Sequence, residues 1–383
     1  STPSEQAPDV IAYVDPKFKM PQVWRSNLNV DIQLPYDFML SVGAMYTRDI
    51  YNVAQINMNE AEPTGVYNEQ PDRIYWASKK YEYNDYTNGK NVVVKLSNGE
   101  DKGYQYSFNA ILTKKYDFGF TGSIGYTYTM AKDLTANPGS APNSAWQNNV
   151  AVNSLNDPGV SYSLFSTPHR IIANASYEIN YAKCLKTTFS LFYSGYHTGR
   201  YSYTYYNDMN GDGNYSDLIY VPNSQDEMTF VDITDKSGAI TYSAVDQAKD
   251  FWDFVNNDSY LKDRKGKYVE RNGSLTPWIN RFDFKIAQDF YATLGGRKYG
   301  IQVSLDMLNV GNMINSKWGA YQSCGLKSYD NVQLLKTASK VGEPLTYQIN
   351  ANSREAFKER SSWQYTNTIG SAWSMQLGVK VTF

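Results

Sequence analysis

The chain lacks any apolar run approaching the ~18 residues of a membrane-spanning helix. Its mean hydropathy of −0.55 is that of a water-soluble protein. It has only two histidines and two cysteines in 383 residues. His169 stands at a strand start and His197 at a strand end, so both are assigned structural roles. No G-x-S-x-G elbow, P-loop or H-E-x-x-H motif is present, and acidic residues are scattered, so no catalytic residue is assigned and the chain is not read as an enzyme. With 36 basic and 38 acidic side chains the net charge is −2, which gives no footprint for nucleic acid. No secretory signal pattern opens the chain, implying that a leader was removed or that a longer chain precedes it.

What is abundant is tyrosine: 34 residues, within 15% aromatics. Tyrosine has an apolar body and a polar tip, which suits membrane interfaces and exposed binding surfaces. The rest is alternation. In Ser371–Phe383, Trp373, Met375, Leu377, Val379, Val381 and Phe383 point one way, and Ser374, Gln376, Gly378, Lys380 and Thr382 the other. Trp373 and Phe383 end the apolar row about 33 Å apart at ~3.3 Å per residue. Tilted by about 45°, that projects onto the ~25 Å apolar band of an outer-membrane barrel. Membrane strands are only half apolar, so a hydropathy average misses them.

The same period recurs near residues 24–34, 36–47, 104–112, 118–130, 171–179, 185–193, 282–286 and 299–307, giving about nine strands of roughly 10 to 13 residues. Connections alternate strictly. Short links fall near Pro35, Lys115, Ala182 and Gly295. Long ones cover 51–103, 131–169, 197–277 and 311–370, far above the ~12–15 residues that compact domains tolerate. Four long loops on one side of a meander match the extracellular loops of an outer-membrane barrel. A soluble lipocalin-like barrel also alternates, with its apolar face inward. Aromatics at strand ends (Trp24, Tyr36, Trp373 and Phe383 as girdle), polar faces rich in Gly, Ser, Thr and charge, and one-sided loops favour lipid outside. Nine strands leave the first and last running in the same direction, so they cannot pair to close a barrel. Residues 1–383 are therefore expected to be part of a larger or split barrel, since open edges in lipid are prohibitive.

Several stretches resemble TonB-dependent outer-membrane receptors of the Oar-like group, and more distantly the SusC-like importers. They are Asp15 to Arg25, Tyr126–Thr127–Tyr128 with Ala131–Lys132–Asp133–Leu134, Asn143 to Trp146, and Pro168–His169–Arg170. Further on come Gly199 to Tyr203, Asp208 to Pro222, Pro277 to Asp283 and Asp306 to Asn312. The resemblance implies a transmembrane antiparallel β-barrel of about 22 strands, these being the last nine or so. It also implies integral location in the bacterial outer membrane, transport of an unidentified ligand, a plug and a TonB-type energy-coupling partner; neither the plug nor the TonB-contacting segment is recognised in these residues. A surface lipoprotein or companion chain is a further implied partner. The alternatives are a passive porin, an adhesion or scaffold barrel, and a soluble carbohydrate-binding β protein.

Two loop motifs stand out. Asp208 to Asp217 reads D-x-N-x-D-G-N, the front of a calcium loop. Asp208, Asn210, Asp212 and Asn214 are candidate ligands, and Asp217 is a substitute for the missing acid at position 12, where Ile219 stands. A solvated Asx-turn loop is the plainer reading. Tyrosines cluster at Tyr201, Tyr203, Tyr205 and Tyr206, and again at Tyr81, Tyr83 and Tyr86. With Trp252 these are candidates for ligand capture, although packing between loops accounts for them more simply. Residues 243–256 read as a helix capped by Ser243, with Val245, Ala248, Phe251, Trp252 and Val255 as its apolar stripe. Cys184 by a short turn and Cys324 in a long loop are placed too far apart to bridge.

Overall fold

The computed structural model describes residues 10–83, 92–324, 327–328, 331–350, 357, 363–366 and 368–383. Its frame is a meander of nine antiparallel strands: β1 (Gln22–Leu34), β2 (Phe38–Tyr51), β3 (Tyr104–Lys115), β4 (Phe120–Asp133), β5 (His169–Tyr181), β6 (Leu185–His197), β7 (Trp278–Leu294), β8 (Arg297–Leu308) and β9 (Ser374–Thr382). Each pairs with its neighbour in sequence. The alternating pattern sets each strand's two faces, and the cross-strand register then joins them into two continuous surfaces. Val30 lies opposite Val42, which lies opposite Ala110, then Tyr126 and Ile171. Further on, Leu191 meets Phe284, Phe284 meets Met307, and Met307 meets Met375. Apart from a one-residue shift at Gln22–Val23 at the start of β1, the ladder keeps the apolar row on one side.

This apolar surface is bare. Leu377 is 73% exposed, and Leu28, Phe108, Ile124 and Val379 are exposed with it. In water so large a contiguous patch would drive association; in hydrocarbon it is the correct solvent-facing side. Aromatics ring it at two levels. At the long-loop end Trp24 meets Tyr46 edge-on at 6.0 Å, Tyr128 lies beside His169 and Tyr193 beside Phe282. At the short-turn end Tyr116, Phe118, Phe120 and Tyr177 pack together. Trp373 and Phe383 are exposed at opposite ends of the last apolar row. Tyr36 is not in a strand: it sits in the Pro35–Asp37 turn at φ 61°, exposed at the short-turn end.

The sheet does not close. Among the described residues β1 and β9 are each paired on one edge only. The four short turns alternate with four loops, 52–103, 134–168, 198–277 and 309–373, all at the other end. The hydrophobic core is built from these loops, and the strands of the wall add only isolated buried residues such as Ile279 and Ala287. A mixed sheet runs through it in the order Thr229–Phe230, Thr346–Ile349, Asn331–Thr337, Arg200–Tyr205, Ser274–Leu275. Arg200–Tyr205 pairs in parallel with Asn331–Thr337 and is buried at all six positions. That two-sided burial is characteristic of parallel pairing.

Helix α1 (Pro142–Gln147) closes one side of the loop domain and helix α2 (Ala244–Asn257) packs on its sheet. Ser243 Oγ accepts from the Asp246 N–H at 3.1 Å and caps α2 as expected. The buried stripe differs from the expected one. Gln247, Phe251, Phe254 and Val255 face in, while Val245 is 77% exposed. Gln247 is buried because its amide closes three main-chain contacts: it donates to the carbonyls of Val231 (2.9 Å) and Tyr242 (3.1 Å), and accepts from the Ile349 N–H (3.0 Å). A hydrophobicity pattern carries no signal for that.

Candidate functional site

Opposite the apolar surface lies a polar one. Lys285 Nζ meets Asp306 at 2.8 Å, and Lys186 lies between Glu178 (3.7 Å) and Asp289 (3.6 Å). Gln302 Nε2 donates to Asp289 Oδ1 at 2.9 Å. Near the first edge Asn29, Gly43 and Asn109 stand in one cross-strand row. A Cβ on Gly43 would lie 2.5 Å from Asn29 Oδ1 and 2.6 Å from Asn109 Oδ1, so only glycine lets both amides lean in. A shallow cavity of about 370 Å³ crosses the sheet here, lined by polar residues such as Asn174, Asp283 and Lys285 and by apolar ones such as Leu191, Phe192 and Phe284. This is the chemistry of a water-filled lumen.

The tyrosine cluster separates into two groups. Tyr201, Tyr203 and Tyr205 are buried and cannot meet a ligand in this conformation, which corrects their assignment to an exposed capture surface. The two-sided sheet around Arg200–Tyr205 is the reason. Tyr203 donates to Asp258 Oδ2 at 2.6 Å, and the Gln70 amide donates to the hydroxyls of Tyr205 and Tyr347, each at 2.9 Å. Burial pushes the Tyr201 phenol up to about 12 and Tyr203 well above its ordinary value. Tyr206, one residue on, is 47% exposed. A register shift between Thr204 and Tyr205 against Asn331–Thr337 interrupts the regular pairing just before it. Trp252 is half-buried, with Lys265 Nζ 4.5 Å above its ring. Tyr81 is buried and Tyr83 exposed, and Tyr86 lies outside the described residues.

In the 208–217 loop, Asp208 accepts the N–H groups of Gly211 (2.8 Å) and Gly213 (2.9 Å). Asn210 accepts from Asp212 N–H and Asp212 from Asn214 N–H. Gly211 and Gly213 take φ +82° and +94°, which glycine alone adopts without strain. Burial, with Asp217 and Asp208 close by, pushes the Asp212 carboxyl well above its usual range. Burial also lifts Asp217 to about 7 against the opposing pull of Arg73. Asp217 does not stand free as a twelfth-position substitute: it pairs with Arg73 at 3.4 Å and accepts from Met209 N–H at 3.1 Å. Among the described residues no three His, Cys, Asp or Glu side chains are gathered as a metal site. The loop's oxygen donors at alternate positions and its glycine turn are of the type a hard cation takes.

Sequence reasoning missed the buried arginines. Arg73 has no exposed surface; it donates to the carbonyls of Val152 and Leu218 and lies over the Tyr268 ring at 4.8 Å. Arg271 donates to the carbonyls of Leu134 and Asp133, both at 2.6 Å. Each ties separate loops together. Neither has a local sequence signature, since most of their partners, main-chain carbonyls and the carboxylates of Asp217 and Asp133, lie far along the chain. His169 Nδ1 lies 2.7 Å from the Tyr126 hydroxyl and His197 Nδ1 2.6 Å from the Thr276 carbonyl oxygen. Cys184 is exposed at the β5–β6 turn and Cys324 buried in the last long loop.

An antiparallel meander with a lipid-compatible outer face, a polar inner face and long loops at one end defines an outer-membrane β-barrel protein. A family model described as an outer membrane beta barrel domain matches residues 1–319, and the chain belongs to that family. It is an integral protein of the outer membrane. No curated protein and no solved structure gave a match.

Proposed function

We propose that the chain forms wall and loops of a TonB-dependent outer-membrane transporter, with more strands completing the barrel beyond β1 and β9. The observation that carries this is the pairing of a charged inner wall with a large loop domain that has its own core. A passive pore needs only the first. A rigid loop domain presents a fixed surface for ligand, as capture before energised import requires. Energy reaches the barrel through a plug and a TonB-type partner, and a surface lipoprotein or companion chain is a further partner in this reading. The intact protein purified from outer membranes should give no steady conductance in planar bilayers, and should cross-link to a TonB-type protein in living cells. A constitutively open channel would establish the passive porin instead. A closed barrel with no such cross-link would establish an adhesion or scaffold role.

Calcium in the 208–217 loop is a second proposal, supported by oxygen donors at Asp208, Asn210 and Asp212 and by the glycine-shaped turn. Calcium addition should then protect the loop from protease, and Asp212→Asn should remove that protection. Equal cleavage with calcium and with chelator sinks it.

A further inference from the structure

Strand β7 outruns β8 at the loop end. Their last register pair is Phe284 with Met307, so among the described residues Trp278 to Asp283 pair with β6 alone. The chain leaving β8 crosses this edge: Val310 N–H donates to the Phe282 carbonyl and Asn309 N–H to Asp283 Oδ1, both at 2.7 Å. It then makes one helical turn, Gly311–Ile314, and a groove of about 380 Å³ is left beside β7. Trp278, Asn280 and Phe282 line it from the strand, and Lys317, Trp318 and Tyr365 from the loop. The three strand residues share the outward parity of Phe284. The groove therefore continues the lipid-facing surface, at the level of the aromatic ring where Tyr193 meets Phe282.

The loop wall of the groove is pinned. Asn312 Nδ2 donates to the carbonyls of Ser316 (2.8 Å) and Trp318 (3.0 Å), and the N–H groups of Lys317 and Trp318 donate to Asn315 Oδ1 (3.0 Å) and its carbonyl (2.9 Å). Buried Asn309 donates to the carbonyls of Gly319 (3.2 Å) and Ser371 (2.9 Å). Yet this pinned segment displays Met313, Trp318 and Ile314, the last 79% exposed. Rigidly displayed apolar side chains are costly in water and favoured at a bilayer boundary, tryptophan above all. The polar atoms of the strand side are spent on one another, since Asn280 Oδ1 accepts from the Tyr193 hydroxyl (2.7 Å) and from Trp278 Nε1 (2.9 Å). Lys317 is different. Its Nζ stands 5.8 Å from the Tyr365 ring and forms no ion pair among the described residues. A lysine at the edge of hydrocarbon holds its ammonium at headgroup level, where an anion stabilises it. A free anion would leave the indole and phenyl rings wet. An uncharged acyl molecule would leave the ammonium unmatched. A zwitterionic headgroup brings its own cation to the phosphate.

We propose that this groove is a binding site for an anionic, phosphate-bearing lipid of the outer leaflet. An acyl chain lies against Trp278, Phe282 and Trp318, and Lys317 pairs with the phosphate. The site needs only the lipid-facing wall, and it stands whether the barrel transports or not. The test strips lipid from the intact detergent-solubilised protein and adds back dimyristoyl phosphatidylglycerol, dimyristoyl phosphatidylcholine or inorganic phosphate, with bound molecules counted by native mass spectrometry. One phosphatidylglycerol should be retained at about fivefold lower concentration than phosphatidylcholine, the worth of one lysine beside an anionic lipid. Lys317→Gln should erase that preference, and Trp318→Ala should weaken retention of both lipids. Lys262→Gln, which changes an exposed lysine of another loop, should alter neither. Equal retention of the two lipids by the unaltered protein would overturn the proposal, as would a preference that survives Lys317→Gln or retention indifferent to Trp318→Ala. Inorganic phosphate bound as tightly as the lipid would make this a free-anion site and overturn it too. Folding is read separately from the heat-dependent gel shift of the barrel, and Lys317→Gln, at an exposed position, keeps the test decisive if Trp318→Ala does not assemble.

Discussion

Leu191→Arg should abolish folded protein in the outer membrane, whereas Asn174→Arg, one register step away on the opposite face, should leave it. Leu191 is the middle residue of β6, in the sixth of nine wall strands, and is flanked by Ala175 and Phe284 on the apolar surface. A guanidinium placed there would sit near the centre of the apolar band, where such a charge costs about 2–4 kcal/mol. That is a factor of roughly 30 to 1000 in the assembled fraction. Asn174 lies on the opposite face of its strand, the face that carries Lys285 and Asp306 and already accommodates charge. The readout is the amount of heat-modifiable barrel in purified outer membranes. If Leu191→Arg assembles normally and Asn174→Arg does not, the inside and outside of the wall have been exchanged.

Arg73→Met should unfold the loop domain while sparing the wall. It would leave the Val152 and Leu218 carbonyl oxygens without a donor and push the buried Asp217 carboxyl, already lifted to about 7, further up into its neutral form. Breaking a buried pair on one side typically costs about 3–5 kcal/mol. The loops of a small domain cannot absorb that, but the wall does not depend on it, because strand pairing and lipid contact hold it separately. Chymotrypsin should therefore cut among the loop tyrosines of the variant, while the strands persist as a protease-resistant core. Arg73→Lys should rescue little, since an ammonium cannot span two carbonyls and a carboxylate as a planar fork does. Adding Asp217→Asn to Arg73→Met should recover part of the loss at alkaline pH, where the unpartnered carboxyl would otherwise have to ionise, and little at neutral pH. Loops that stay intact in the single variant would show that Arg73 is not what holds them.

The wall was legible in the sequence almost to the residue. A strand with one face in hydrocarbon and one in water must alternate, and a one-residue slip would carry the whole apolar row to the wrong side. Leu28 to Leu34 and Met375 to Phe383 therefore announce their faces with no knowledge of neighbours. The short turn at Gly295–Gly296 was equally visible, because glycine takes positive φ freely, whereas Ala182 and Lys183 take it with no signal in their residue type. Trp278–Leu294 ran longer than the alternation suggested, since Asn280 and Gln288 interrupt its apolar row without ending its pairing.

The loops were not legible in the same way. Tyr201, Tyr203 and Tyr205 carry the same alternating signature as a half-exposed strand, yet the loop core packs against both faces of that strand. Val245 and Phe254 exchanged places in the α2 stripe because the packing partner, not the period, chose the buried arc.

The amino-acid order alone determined the nine strands, their two faces, the side on which the loops lie and the membrane as solvent. Each of those follows from local geometry repeated along one strand. The tertiary structure alone decided which tyrosines are core and which are displayed, and that Asp217 belongs to Arg73. These depend on contacts between residues tens to hundreds of positions apart, for which no period in the chain carries a signal.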